Sequence, residues 1–117
     1  MEEICTISLL LDFYGQMITK RQFEILDLHY NNDYSLGEIA QILNISRQGV
    51  YDNIKRGKAA LSEMEKKLGL VGRFNGQKQK ASEILGLLES IETAALSAED
   101  RRSVGKATQI VRSIVED

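Results

Sequence analysis

The 117 residues contain no proline, one cysteine and one histidine, and only seven aromatic side chains. Without proline nothing interrupts helical periodicity, and most apolar residues recur three or four positions apart, so the chain reads as all-α. A lone Cys5 excludes an internal disulfide and fits a reducing, cytoplasmic setting. It lies in the apolar run of the first helix and reads as a buried structural thiol. His29 has no cysteine or carboxylate at ligand spacing, which removes a metal site and leaves a structural histidine. No apolar run approaches the ~20 residues that span a bilayer, and no signal peptide opens the chain, so a membrane is not an expected partner. Gly57-Lys58-Ala59 and Gly105-Lys106-Ala107 lack the upstream glycine loop and the following hydroxyl of a phosphate-binding loop. The acidic pairs Glu2-Glu3 and Glu99-Asp100 fall at helix starts, where they favour the macrodipole. No nucleophile, base and orienting group can be assembled, so neither an enzyme nor a cofactor is expected.

A large charge of one sign is also missing: the formal net is −2. Its distribution is uneven. Residues 1–34 carry a net of −4, residues 47–80 a net of +6 and residues 81–117 a net of −3. A basic belt between two acidic segments points to a polyanion-facing surface better than the total does.

The spacing predicts a first helix over Glu2–Tyr14, with Ile4, Ile7, Leu11 and Tyr14 in line and Leu10 beside them. Gly15-Gln16 breaks it. Thr19 opens the next helix with Gln22 at the capping-box position, and Phe23, Leu26 and Tyr30 are its expected inner face. Asn31-Asn32-Asp33 ends it. Ser35 and Glu38 form a second capping box. Ser46 caps a long helix running to about Leu68, with Val50, Ile54, Gly57 and Leu61 on its buried side. Gly57 is small there, which predicts a close approach by another helix. Gly69 is the expected stop, and 69–76, with three glycines, reads as a hinge. Helices over 77–92 (Ala81, Ile84, Leu88, Ile91) and from the Ser97 cap onward (Val104, Ala107, Val111, Ile114) complete the chain. They are expected as a C-terminal helical hairpin over 77–117, a candidate dimerisation element behind an N-terminal domain of residues 1–68.

The segment SLGEIAQILNISRQGVYDNIKRGKAAL, residues 35–61, carries the functional signal. Leu43-Asn44-Ile45 is too short for its two helices to lie side by side, so they cross steeply. That is helix-turn-helix geometry, whose second helix enters the DNA major groove. With Val50, Ile54 and Leu61 turned inward, Gln48, Asp52 and Lys55 face outward and Tyr51 stands on the shoulder. Ser46 and Arg47 sit at the exposed start. Gln48 suits adenine, and Arg47 suits guanine or phosphate. Lys55, Arg56 and Lys58 suit phosphate.

Val50, Ile54, Arg56 and Leu61, preceded by Ile39-Ala40 and the Leu43-x-Ile45-Ser46 turn, resemble region four of bacterial sigma factors, which reads the −35 promoter element. The chain departs from that pattern at Tyr51 and Asp52. LLLDFYGQMITKRQFEILDLHYNNDYSLGEIA and the later LGLVGRF resemble the YlxM-like helix-turn-helix proteins. That resemblance implies an all-helical fold and a regulatory role associated with the signal recognition particle pathway. Two functions are therefore expected: sequence-specific DNA binding, as a homodimer reading two half-sites, or a non-enzymatic interaction module. The module would meet the particle's GTPase or its RNA through the basic belt.

Overall fold

Four capping residues, Thr19, Ser35, Ser46 and Ser97, each place one helix start. The computed structural model describes residues 3–116, with side chains from Thr6 onward. Glu2 and the side chains of Ile4 and Cys5, including the thiol expected to be buried, lie outside the described residues. Among the described residues six α-helices are formed: α1 (Glu3–Tyr14), α2 (Lys20–Leu26), α3 (Leu36–Leu43), α4 (Arg47–Leu68), α5 (Leu70–Glu89) and α6 (Ala98–Glu116). The all-α expectation holds, and no strand occurs among the described residues.

The Thr19 hydroxyl accepts the Gln22 amide at 3.1 Å while Gln22 Oε1 accepts the Thr19 amide at 3.1 Å, the reciprocal capping box. Ser35 and Glu38 repeat it at 3.1 and 2.9 Å, and the Ser35 amide and hydroxyl hold the Glu38 carboxyl below its usual range. Each cap contributes about 1 kcal/mol. Between α2 and α3 the backbone widens into a π-helical turn, Asp27–Asn31. The Asn32 amide and side-chain Nδ2 both donate to the Asp27 carbonyl, at 3.2 and 3.1 Å. His29 donates from Nδ1 to the Tyr34 carbonyl at 2.8 Å, a structural bond.

The N-terminal unit ends at Val71. Its core consists of Tyr14, Ile25, Leu26, Ile39, Val50 and Leu61, all without solvent contact, with Ile7, Leu10, Leu11 and Ile54 around them. Helix α4 is central and packs against α1, α2 and α3. The inner face expected of α2 needs correction. Ile25 joins Leu26 in the core, Tyr30 is half-buried, and Phe23 is 39% exposed with its ring lying over Gly15.

Gly69 stops α4 in the left-handed region, φ 63°. The hinge expected over 69–76 is not a loop, because α5 begins at Leu70. The first two amides of α5 find acceptors on α1 and α4 rather than on a residue just before the helix. The Tyr14 hydroxyl donates to Glu65 Oε1 at 2.6 Å and accepts the Leu70 amide at 3.0 Å, and the same Glu65 oxygen accepts the Val71 amide at 3.1 Å. Orphan donors at a helix start must be satisfied somewhere, and here α1 and α4 supply the oxygens.

The second unit runs from Gly72. Arg101 ties the preceding loop by donating to the carbonyls of Thr93, Ala94 and Leu96. Ser97 caps α6 at the Asp100 amide, 3.1 Å, and Arg112 pairs with Glu89 at 2.8 Å. The apolar stripes differ from expectation. In α5, Ala81 is buried and Leu85 and Leu88 are half-buried, whereas Ile84 is exposed, as is Ile91 in the turn beyond the helix. In α6, Val104, Thr108, Val111 and Val115 are half-buried, whereas Ala107 and Ile114 are exposed. Ala81, Leu88, Val104 and Val111 lie on the expected lines, while Leu85 replaces Ile84, Thr108 replaces Ala107 and Val115 replaces Ile114.

Candidate nucleic-acid interface

The α3–α4 pair is built by short-range chemistry. Asn44 leaves α3 in the left-handed region, φ 55°, which lets the Ile45 amide turn back to the Ala40 carbonyl at 3.1 Å. Asparagine tolerates that conformation because its short polar side chain bonds locally. The Ser46 hydroxyl then accepts the Gly49 amide at 2.9 Å and starts α4. Val50, Ile54, Gly57 and Leu61 are buried, which fixes the rotation of α4 and hence what its other side presents.

Among the expected contact residues, Ser46, Arg47, Gln48, Tyr51, Lys55 and Arg56 are exposed, and Asp52 is half-buried. Ser46 is used as the cap, so its contribution is to place the helix start rather than to read bases. Gln48 and Asp52 are joined: Gln48 Nε2 donates to Asp52 Oδ1 at 3.1 Å. A glutamine followed by an aspartate four residues later is a recognised helix-face pair, so this bond was available in the sequence. It has a chemical consequence. A primary amide has two N–H groups and a carbonyl oxygen. With one N–H on Asp52, Gln48 keeps one donor and one acceptor, the set that pairs with the N7 and N6 edge of adenine. The aspartate that departs from the sigma pattern is thereby engaged as an orienting acceptor.

Lys58 differs from its expected place. It is half-buried, with its ammonium 5.8 Å from the centre of the Tyr30 ring, so its charge is held beside the π-helical turn. Within residues 35–61, Lys55 and Arg56 remain the exposed cations beyond the first turn of α4. Sequence reasoning also passed over Ile42, 55% exposed on α3. Its signal is the excess of apolar residues over the buried set in that short helix. No helix among the described residues is long and apolar enough to cross a membrane.

The chain is similar to known proteins along almost its full length. Residues 1–103 match the family described as "Putative helix-turn-helix protein, YlxM / p13 like". It is 59% identical over 116 residues to the UPF0122 protein of Acetivibrio thermocellus, covering 99% of each chain. It is 39% identical over 116 residues to that of Desulforamulus reducens, covering 99% of this chain and 96% of the relative. With that of Halalkalibacterium halodurans the identity is 43% over 100 residues, covering 85% and 88%. Together with the capped α3–α4 pair, these matches show that the chain belongs to the YlxM / p13-like helix-turn-helix family.

Proposed function

We propose that this protein is a sequence-selective DNA-binding regulator that lays the outer face of α4 in the major groove. The observation that carries the reading is the exposed Gln48–Asp52 pair with Arg47 before it and Lys55 and Arg56 after it. Gln48 is held with an adenine-matching donor and acceptor outward, and the cations flank it where phosphates run. Tyr51, half exposed on the shoulder, covers apolar base edges. Binding is electrostatic in large part, so it weakens steeply with salt. The lone cysteine suits a reducing setting for this activity, such as the cytoplasm.

A second reading rests on the exposed Tyr51 and Ile42, an aromatic and an aliphatic surface that suit stacked bases or a protein partner better than phosphate. In that reading the chain is a non-enzymatic module for the signal recognition particle, binding its RNA or its GTPase.

Titration of the purified chain separates the two. The probes are DNA from its own operon, random DNA, the particle RNA and the GTPase, each at low and moderate salt. We expect selective binding to the operon fragment. Arg47→Ala and Gln48→Ala should each cost about 1–3 kcal/mol of discrimination, with unchanged helix content. Equal binding to operon and random DNA, insensitive to both substitutions, would overturn the DNA reading. Tight, saturable binding to the RNA or the GTPase alone would replace it with the module.

A further inference from the structure

The second unit exposes more apolar surface than its helices cover. On α5 and the turn after it, Gln77, Lys80, Ile84, Leu87 and Ile91 are all exposed, at spacings of three, four, three and four. On α6, Asp100, Ser103, Ala107, Ile110 and Ile114 repeat the same spacing and are also all exposed. This is the seam pattern of helices that pair by knobs-into-holes packing. The inward stripes of Ala81 and Leu88, and of Val104 and Val111, are separate from these seams. Leu87 is 64% exposed and Ile110 is 56% exposed, and no residue of α6 is buried. An amphipathic helix with an uncovered apolar line, rimmed by charge, marks an association surface.

We propose that these seams pair between two copies of the chain, α5 of one copy lying along α6 of the other in the same chain direction. The two seams are complementary in that register. Ile84 meets Ala107, Leu87 meets Ile110, and Ile91 meets Ile114. Ile91 continues the α5 seam because its amide still reaches the Leu88 carbonyl at 3.2 Å. In the preceding layers Lys80 meets Ser103 and Gln77 meets Asp100, which brings the Lys80 ammonium within one layer of the partner's carboxylate. Other pairings fail on charge or polarity. Two α5 seams in parallel oppose Lys80 to Lys80, and two α6 seams oppose Asp100 to Asp100. Antiparallel pairing of like seams sets Lys80 against Leu87, or Asp100 against Ile114. A two-fold axis makes the α5–α6 contact twice, so both seams of each chain are used.

Sedimentation of the full-length chain at tens of micromolar tests this. We expect a mass twice that of the 117-residue chain. Leu87→Glu and Ile110→Glu should each give a monomer of unchanged helix content, because both side chains are more than half exposed in their own chain. Lys80→Glu should weaken the dimer about tenfold, since an exposed ion pair worth a few tenths to ~1 kcal/mol is lost twice. Adding Asp100→Lys to Lys80→Glu should restore it. A monomer at every concentration, or a dimer indifferent to both glutamate substitutions, would overturn the proposal. Loss of the dimer without rescue by the charge exchange, with helix content intact, would overturn the α5–α6 register.

Discussion

Gly57→Val is expected to destabilise the N-terminal unit by about 2–3 kcal/mol. A Cβ at Gly57 would lie 2.7 Å from Leu26 Cδ1 and 3.5 Å from both Leu26 Cγ and Gln22 Cβ. Leu26 has no solvent contact, so its methyl group has nowhere to turn without displacing a neighbour in a close-packed core. Helix α2 would have to retreat from α4, and these two form the most extensive helix–helix contact in the unit. Alanine at the same position is a milder case. It creates the same first contact but recovers up to ~1 kcal/mol of helix propensity lost to glycine. Urea unfolding followed by helical circular dichroism measures both variants. A valine variant as stable as the parent would mean that the α2–α4 contact is looser than the distances say.

Glu65→Ala is expected to cost about 2–3 kcal/mol, because two polar groups lose their acceptor together. The Tyr14 hydroxyl and the Val71 amide both donate to one Glu65 oxygen, and α5 begins on those bonds. The companion variant Tyr14→Phe removes the acceptor of the Leu70 amide and one donor to Glu65. Its pH dependence identifies the cause. Burial, and then the hydrogen bond to Glu65, raise the Tyr14 hydroxyl above its ordinary value of 10.0. A raised value means that the neutral hydroxyl is the form the fold favours. Its contribution is complete below the unfolded value and is lost as pH climbs through the folded one. The stability gap between the parent and Tyr14→Phe should therefore be constant below about pH 10 and shrink above it. A gap that stays constant into strong alkali would show that the fold does not disfavour the Tyr14 phenolate.

The same residues show what could be read from sequence and what could not. Thr19, Ser35, Ser46 and Ser97 were legible as caps because a cap is a bond across three residues and needs no knowledge of the fold. Gly69 was legible as a stop for the same local reason. The glycines after it misled, since Gly72 and Gly76 sit inside α5 and only Gly69 uses a positive φ. What starts α5 is an oxygen pair from residues 14 and 65, and a bond across more than fifty residues leaves no periodic trace. Phe23 reads as core by period, but its place over Gly15 is decided by the bend between α1 and α2.

At the candidate interface, the buried line Val50–Ile54–Leu61 fixes the outward residues of α4 by geometry alone, so Gln48, Tyr51 and Lys55 were legible. Lys58 was not, because its position depends on Tyr30 arriving from another helix through a π-helical turn. In the second unit the period was read correctly and Ala81, Leu88, Val104 and Val111 hold, but Ile84, Ala107 and Ile114 give way to the residue after each. Two apolar lines on one helix share a period, and only packing distinguishes the covered line from the open one.

The central claim is that the outer face of α4 meets nucleic acid. Amide and side-chain NMR shifts of the labelled full-length chain, followed as operon DNA is added, test it most directly. The largest changes are expected on Arg47, Gln48, Tyr51, Asp52 and Lys55, including the Gln48 side-chain amide, while buried Val50 and Leu61 change little. Changes confined to another surface, or none at a DNA concentration that shifts the electrophoretic mobility of the complex, would contradict it.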